Sequence, residues 1–218
     1  TGGKFHGSAV AIIFGLIFAY LAGLVTNGEK GVADFAILSG VGLLGGSMLR
    51  DFAIVATAYG AKLSDLKASG FAGIFSLFVG VIVSFSLGAI IAISFGYEDP
   101  ISITTIGAGS VTFVVGPVTG SAIGADSEVI ALSIAVGLVK SILVMTVTPV
   151  VAKRIGLDNP RSAIVFGGVM GTNSGVAAGL AAVDPKLVPY GAMTATFYTA
   201  LGCLMVPSIL FFLIDVFF

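Results

Sequence analysis

The sequence predicts an all-α polytopic membrane protein, with about five full crossings and two re-entrant or discontinuous helical segments arranged as an inverted repeat. Three observations carry that expectation. The composition is too apolar to fold in water, two of the apolar stretches differ in texture from the rest, and the basic residues fall on one side only if those two stretches turn back.

Of 218 residues, 57% are hydrophobic and 10% are charged, and the mean hydropathy is +1.13. A soluble domain has about 45–50% apolar and about 25% charged residues, and a folded sphere of this size exposes too much surface to hide the excess. The composition excludes a soluble enzyme, a nucleic-acid binder and a disordered regulator. Net charge is −1 with scattered cations, so no basic stripe follows a phosphate backbone, and no nucleic-acid partner is expected. One cysteine, Cys203, and one histidine, His6, leave no disulfide framework, no paired metal set and no Ser–His–acid triad. No cofactor is expected. The chain begins at Thr1 rather than Met, which is expected of a sequence that extends further upstream. Ala9 to Val25 lacks a small-residue cleavage signature and reads as a mature membrane segment rather than a signal peptide.

Stretches long enough to span a bilayer, about 20 residues, lie near 8–26, 33–60 (interrupted by Arg50–Asp51), 71–95, 127–152 and 187–217. The stretches 101–124 and 160–183 are rich in Gly, Ser and Thr. Helix propensity is poorest in their middles, at Gly116–Pro117 and at Gly171–Gly175.

Lys and Arg are enriched in cytoplasmic loops. If all seven stretches cross, Lys4, Lys62, Lys67 and Lys186 face Lys30, Lys153, Arg154 and Arg161, and neither orientation is favoured. If 101–124 and 160–183 turn back, Lys4, Lys62, Lys67, Lys153, Arg154, Arg161 and Lys186 share one side and only Lys30 is opposite. The acidic pairs Glu98–Asp99 and Asp126–Glu128 and the tail with Asp215 then lie outside. Limbs of about ten residues reach about 15 Å, the middle of a hydrocarbon core about 30 Å thick. The alternative is seven crossing helices with small-residue faces, because Gly167, Gly171, Gly175 and Gly179 recur every four residues, as do Gly116, Gly120 and Gly124.

A faint repeat supports the broken segments. Gly109, Val111, Asp126 and Pro149 map onto Gly167, Val169, Asp184 and Pro207 at an interval of 58. A hairpin plus one crossing helix is an odd number of crossings, so the second copy would be inverted, as in secondary transporters. The expected organisation is one membrane domain over 1–218, with scaffold helices in 1–100 and a transport core of two repeats, 101–152 and 160–217.

Ionisable residues inside a membrane are functional candidates. Lys140, midway along 127–152, requires an anion, a carboxylate or backbone carbonyls. Arg50 is a weaker candidate, because Arg50–Asp51 can equally mark the membrane surface. The expected substrate-binding set is Lys140, Arg50, Ser110, Thr112, Thr172, Asn173 and Ser174. The expected cation-binding set is Gly116, Thr119, Ser121, Gly171, Thr172, Asn173 and Gly175, since neutral hydroxyl, amide and carbonyl oxygens suit a monovalent cation and helix N-termini suit carboxylates. An intramembrane enzyme is disfavoured: Lys140 and Ser141 are adjacent and point about 100° apart on a helix, so they form no dyad.

The runs GSAVAIIFGLIFAY (7–20), GVGLLGGSMLRDFAIVATAYG (40–60), ITTIGAGSVTFVVGPVTGSAIGADSEVIALSIAVGLVKSILVM (103–145) and GLDNPRSAIVFGGVMGTNSGVAAGLAAVDPKLVPYGAMTATFYTALGC (156–203) resemble the MadM subunit family of bacterial malonate:sodium symporters. The resemblance covers essentially the whole chain. It implies uptake of malonate, a small dicarboxylate, by symport with sodium as coupling ion. It also implies a bacterial cytoplasmic (inner) membrane location and a second small membrane subunit of the MadL type, and it leaves room for a higher oligomer. The Ser110–Thr112 run, the Asp158–Pro160 corner and the GTNSG run are similar, over about the C-terminal half, to the LrgB/CidB-type membrane family. That second likeness implies the competing expectation, a holin-like or regulatory component that transports nothing.

Overall fold

The computed structural model describes residues 7–26, 35–38, 52, 64, 67 and 69–218, and the described chain is all-helical. Its elements are α1 (Gly7–Thr26), a 3-10 turn at Ala36–Leu38, α2 (Gly70–Ser94), α3 (Pro100–Val111), α4 (Val115–Ile123), α5 (Ser127–Val151), α6 (Pro160–Met170), α7 (Asn173–Val183), a 3-10 turn at Pro185–Leu187, α8 (Val188–Met205), a π-turn at Val206–Leu210 and α9 (Phe211–Phe217). Three helical stretches among the described residues are long and apolar enough to cross a membrane: Gly70–Ser94, Ser127–Val151 and Pro185–Phe217. Most of the stretch 33–60, with Arg50, lies outside the described residues.

The polarity of the molecule is that of a lipid-embedded bundle. Large apolar side chains face outward, among them Phe14 and Phe18 of α1, Phe71 and Phe75 of α2, and Val139 and Leu143 of α5. Apart from Tyr198, every buried side chain among the described residues that carries a polar group is a serine or threonine, from Ser76 to Thr199. Hydroxyls can return their hydrogen bond to the helix backbone or pass it to a neighbouring helix, which suits an interior without water.

Both glycine-rich stretches are broken helices. The first break falls at Thr112–Val114, upstream of the Gly116–Pro117 position that propensity marks. Pro117 explains the shift: it has no N–H for the Phe113 carbonyl and its ring excludes that carbonyl from a helical position, so the break must precede it. Gly116 and Pro117 then sit in the first turn of α4, where a missing donor costs nothing. Thr112 closes the break, its Oγ1 accepting from Val114 N at 3.3 Å and Val115 N at 3.0 Å. The second break is shorter. Gly171 ends α6 at φ +70°, a left-handed cap, and Asn173, Ser174 and Gly175 already form the first turn of α7. The limbs begin alike: Asp99 caps α3 ahead of Pro100, and Asn159 caps α6 ahead of Pro160.

Close glycine contacts define how the pieces pack. Gly120 lies against Thr105 and Gly116 against Gly109, so α3 and α4 run antiparallel as a helical hairpin. Along α5, Ile130 touches Gly120, Ser133 touches Gly109 and Gly116, and Gly137 touches Phe113. The hairpin thus follows the first half of α5 and bends at its midpoint. The other half of α5 is taken by α7, with Gly175 on Ser141 and Gly179 on Thr148. On α8 the order is reversed. Gly191 and Thr194 in its first half meet Gly167 of α6, Gly191 also meets Val176 and Leu180 of α7, Tyr198 covers Gly171, and Gly202 meets Val111 and Val115. Each broken segment therefore occupies one half of α5 and the opposite half of α8, and the two breaks meet at the centre. Helix α2 crosses both first limbs, with Gly80 against Gly168 and Val169 and Gly88 against Gly107 and Ser110.

The cations near the membrane ends gather at one end of the same axis, two aspartates among them. Arg161 shares a cleft with Ser69 and Gly70 at the start of α2, and Lys153 and Asp158 share one with Asp184. Glu98, Asp99 and Asp126 stand at the other end of α2 and α5, at the mouth of the α3–α4 hairpin.

Candidate functional site

Lys140 lies at the centre, where the two breaks meet. Its ammonium donates to Ser84 Oγ at 2.9 Å, to the Val111 carbonyl at 2.9 Å and to Tyr198 Oη at 3.3 Å, and it lies 5.2 Å from the Tyr198 ring centroid. The three acceptors come from α2, the end of α3 and the middle of α8. Val111 is the last residue of α3, so its carbonyl has no intrahelical donor and carries part of the negative end of the helix dipole. The aromatic face adds a further attraction for the cation. Each ammonium proton has an acceptor, yet no acidic side chain among the described residues pairs with Lys140. Its hydrogen bonds are satisfied and its charge is not.

Tyr198 ties this centre together. It is fully buried, donates from Oη to the Gly80 carbonyl at 3.1 Å and lays its ring over Gly171, where a side chain would collide with it. Below it, Thr172 Oγ1 and Ser141 Oγ share a hydrogen bond of 2.5 Å. Thr172 is the N-cap residue of α7 but does not cap it, because its hydroxyl is engaged by Ser141. Of the two helix N-termini at the centre, α4 is closed by Thr112 and α7 is open.

The expected substrate residues divide accordingly. Lys140 bonds the Val111 carbonyl, next to Thr112, and Thr172 bonds Ser141, next to Lys140; Asn173 follows Thr172, its Nδ2 reaches Thr196 Oγ1 at 3.4 Å, and its Oδ1 is buried without a hydrogen-bond partner. Ser174 is half-buried in the first turn of α7. Ser110 points away, its hydroxyl donating to the carbonyls of Ser84 and of Gly107, the latter at 2.7 Å, so it fastens α3 to α2. Arg50 lies outside the described residues.

The expected cation residues do not form one cluster. Gly171, Thr172, Asn173 and Gly175 sit at the second break, whereas Gly116, Thr119 and Ser121 lie on α4, leading away from the first. Gly116 and Gly175 are inside helices and serve close packing, against Ser133 and against Ser141 with Val144 respectively. Ser121 is exposed, and Thr119 is fully buried with an unpartnered hydroxyl. Residue types alone do not reveal that a glycine is used for its missing side chain rather than its carbonyl.

Three contributors have no obvious sequence signal of their own: Ser84, the Gly80 carbonyl and Tyr198. For Tyr198 a signal exists in the repeat, since it stands 58 positions after Lys140, the interval that relates Gly109 to Gly167.

No curated protein and no solved structure matches the chain. A family model does, over residues 1–218: the malonate/sodium symporter MadM subunit. A match over the whole chain, on an all-helical protein with an apolar exterior and a cation at its centre, makes this chain a member of the MadM family of malonate/sodium symporter subunits.

Proposed function

We propose that the chain carries the translocation pathway of a symporter that imports malonate together with sodium across the bacterial cytoplasmic membrane. The observation that carries this reading is the Lys140 ammonium, held by hydroxyls and a helix-end carbonyl with no carboxylate against it, on the same stretch of α5 whose Ser141 bonds Thr172 ahead of the uncapped α7. A charge in a low-dielectric interior is costly without an opposite charge, and a dianion supplies one. One carboxylate is met by Lys140 and the other by the first-turn N–H groups of α7 and the Asn173 amide. Sodium is held by neutral oxygens of the broken segments. Binding of either ion strengthens binding of the other, which is the thermodynamic content of coupling.

In this reading α3–α4 and α6–α7 are re-entrant hairpins entering from opposite faces. The packing on opposite halves of α5 and α8 supports it, as does the gathering of cations at one end, with Arg161, Lys153 and Lys186 cytoplasmic. Residues 101–152 and 160–217 then form the moving core, and 1–100 the scaffold. The family is named for a subunit, and we assign the partner as a small membrane protein of the MadL type, with room for a higher oligomer.

Uptake of labelled malonate into vesicles containing the assembled transporter tests this directly. Uptake should require an inward sodium gradient. Uptake without sodium, or none with all subunits supplied, would refute the reading.

A further inference from the structure

We infer that the coupling sodium binds in the half of the molecule nearer the acidic end, between the α3–α4 hairpin and the π-turn of Val206–Leu210, with Thr104 Oγ1 and Thr119 Oγ1 as ligands. The inference rests on the symport reading above and places its cation about 10 Å from the central break, at 1.5 Å per residue.

The hydroxyls supply the first observation. Among the described residues, every other threonine inside a helix turns its hydroxyl back to a carbonyl three or four residues earlier: Thr26, Thr105, Thr146, Thr148, Thr194, Thr196 and Thr199 do so. Thr104 and Thr119 do not. Both are fully buried, and neither hydroxyl has a hydrogen-bond partner. A buried hydroxyl that forgoes the ready backbone acceptor is arranged for something else.

Helical register brings the two into one wedge. Thr104 lies on the same face of α3 as Val111, two turns on, and Thr119 lies one turn from Val115 on α4. Val111 and Val115 both pack on Gly202 of α8, so both threonines face the continuation of that helix. The antiparallel pairing of 105 with 120 and 109 with 116 sets 119 level with 106, about 3 Å from the height of 104.

The third observation is what stands opposite. Four residues beyond Gly202 the helix widens into a π-turn, which contacts both α3 and α4. Pro207 has no N–H to give the Cys203 carbonyl, and the π-turn redirects carbonyls out of the α-helical ladder. Such turns recur at functional sites. Two hydroxyls and redirected carbonyls, with no carboxylate, make a neutral oxygen set suited to a monovalent cation.

The thermal unfolding midpoint of the purified, assembled transporter, measured without malonate in sodium and in potassium chloride at equal ionic strength, tests the site. Sodium should raise the midpoint of the wild type, and Thr104→Val or Thr119→Val should abolish the rise or move its half-maximal concentration at least tenfold. Thr104→Ser and Thr119→Ser keep the hydroxyl and should keep the response, as should Thr199→Val. Pro207→Ala, which restores the α-helical ladder, should weaken it. A wild type with no sodium-specific rise, or valine variants with the wild-type response, would overturn the assignment. Failure of the symport reading looks different: malonate uptake that ignores a sodium gradient, in a protein whose midpoint still responds to sodium.

Discussion

The Lys140 ammonium stands 3.3 Å from the Tyr198 hydroxyl, and Tyr198 passes the contact on to the Gly80 carbonyl at 3.1 Å. The two residues are 58 positions apart, the interval that relates Gly109 to Gly167. Helix α5 thus contributes a cation at its midpoint and α8 an aromatic hydroxyl, and they meet where the two breaks meet.

Lys140→Ala should lower malonate uptake at least tenfold in protein that reaches the membrane, because it removes the one cation at the centre among the described residues. Lys140→Arg should recover little. A planar guanidinium does not reproduce three convergent donors on a compact ammonium. Uptake normalised to membrane-inserted protein checks both, and normal transport in Lys140→Ala would remove the residue from the site.

Tyr198→Phe and Tyr198→Ala should separate function from packing. The phenylalanine variant keeps the ring over Gly171 and loses two hydrogen bonds, each worth about 1 kcal/mol, so it should unfold a few degrees below the wild type and, with one acceptor of the Lys140 ammonium gone, transport malonate more weakly. The alanine variant empties a fully buried site, a loss of about 3–5 kcal/mol, and should unfold well below the wild type. Equal behaviour of the two variants would contradict the bridging role of the hydroxyl.

Gly171→Ala should be far more damaging than Gly96→Ala, although both glycines have positive φ, +70° and +89°. At Gly96 an added methyl meets open space, and the cost is that of the left-handed backbone alone, about 1–2 kcal/mol. At Gly171 the methyl also lands in the Tyr198 ring. Thermal unfolding of the two variants in detergent gives the comparison, and a midpoint for Gly171→Ala at or above that of Gly96→Ala would contradict the packing described.

Single cysteines at Asp126 and Asp184, in a Cys203→Ser background, should label from opposite faces of the membrane. Re-entrant hairpins would produce that outcome, because 101–124 would return to the face it left. Seven crossing helices would put both positions on the same face, and such labelling would refute the re-entrant arrangement.

Much of this was legible in the residues. The interval of 58, the excess of glycine at 101–124 and 160–183 and the lone lysine within 127–152 foreshadow two broken segments around a charged centre, and the helix breaks are present. Their positions differ from the propensity minimum at Gly116–Pro117, because a proline disrupts the carbonyl four residues before it rather than its own position. The proposed cation ligands were less legible. Ser121 is exposed, while Thr104, identical in type to the seven threonines that bond back to their own helices, is buried without a partner. Whether a threonine back-bonds to its own helix depends on its rotamer and on the surface opposite, which local sequence does not encode.

By itself the sequence determined that this protein is an all-helical membrane protein and that 101–124 and 160–183 are interrupted, because hydropathy, proline geometry and the left-handed freedom of glycine are local properties. Only the tertiary structure decided that Tyr198 rather than a carboxylate faces Lys140, that α4 is capped and α7 open, and that Gly116 and Gly175 serve packing. Those outcomes depend on which residues face each other across α5 and α8, and a chain carries that information only once it is folded.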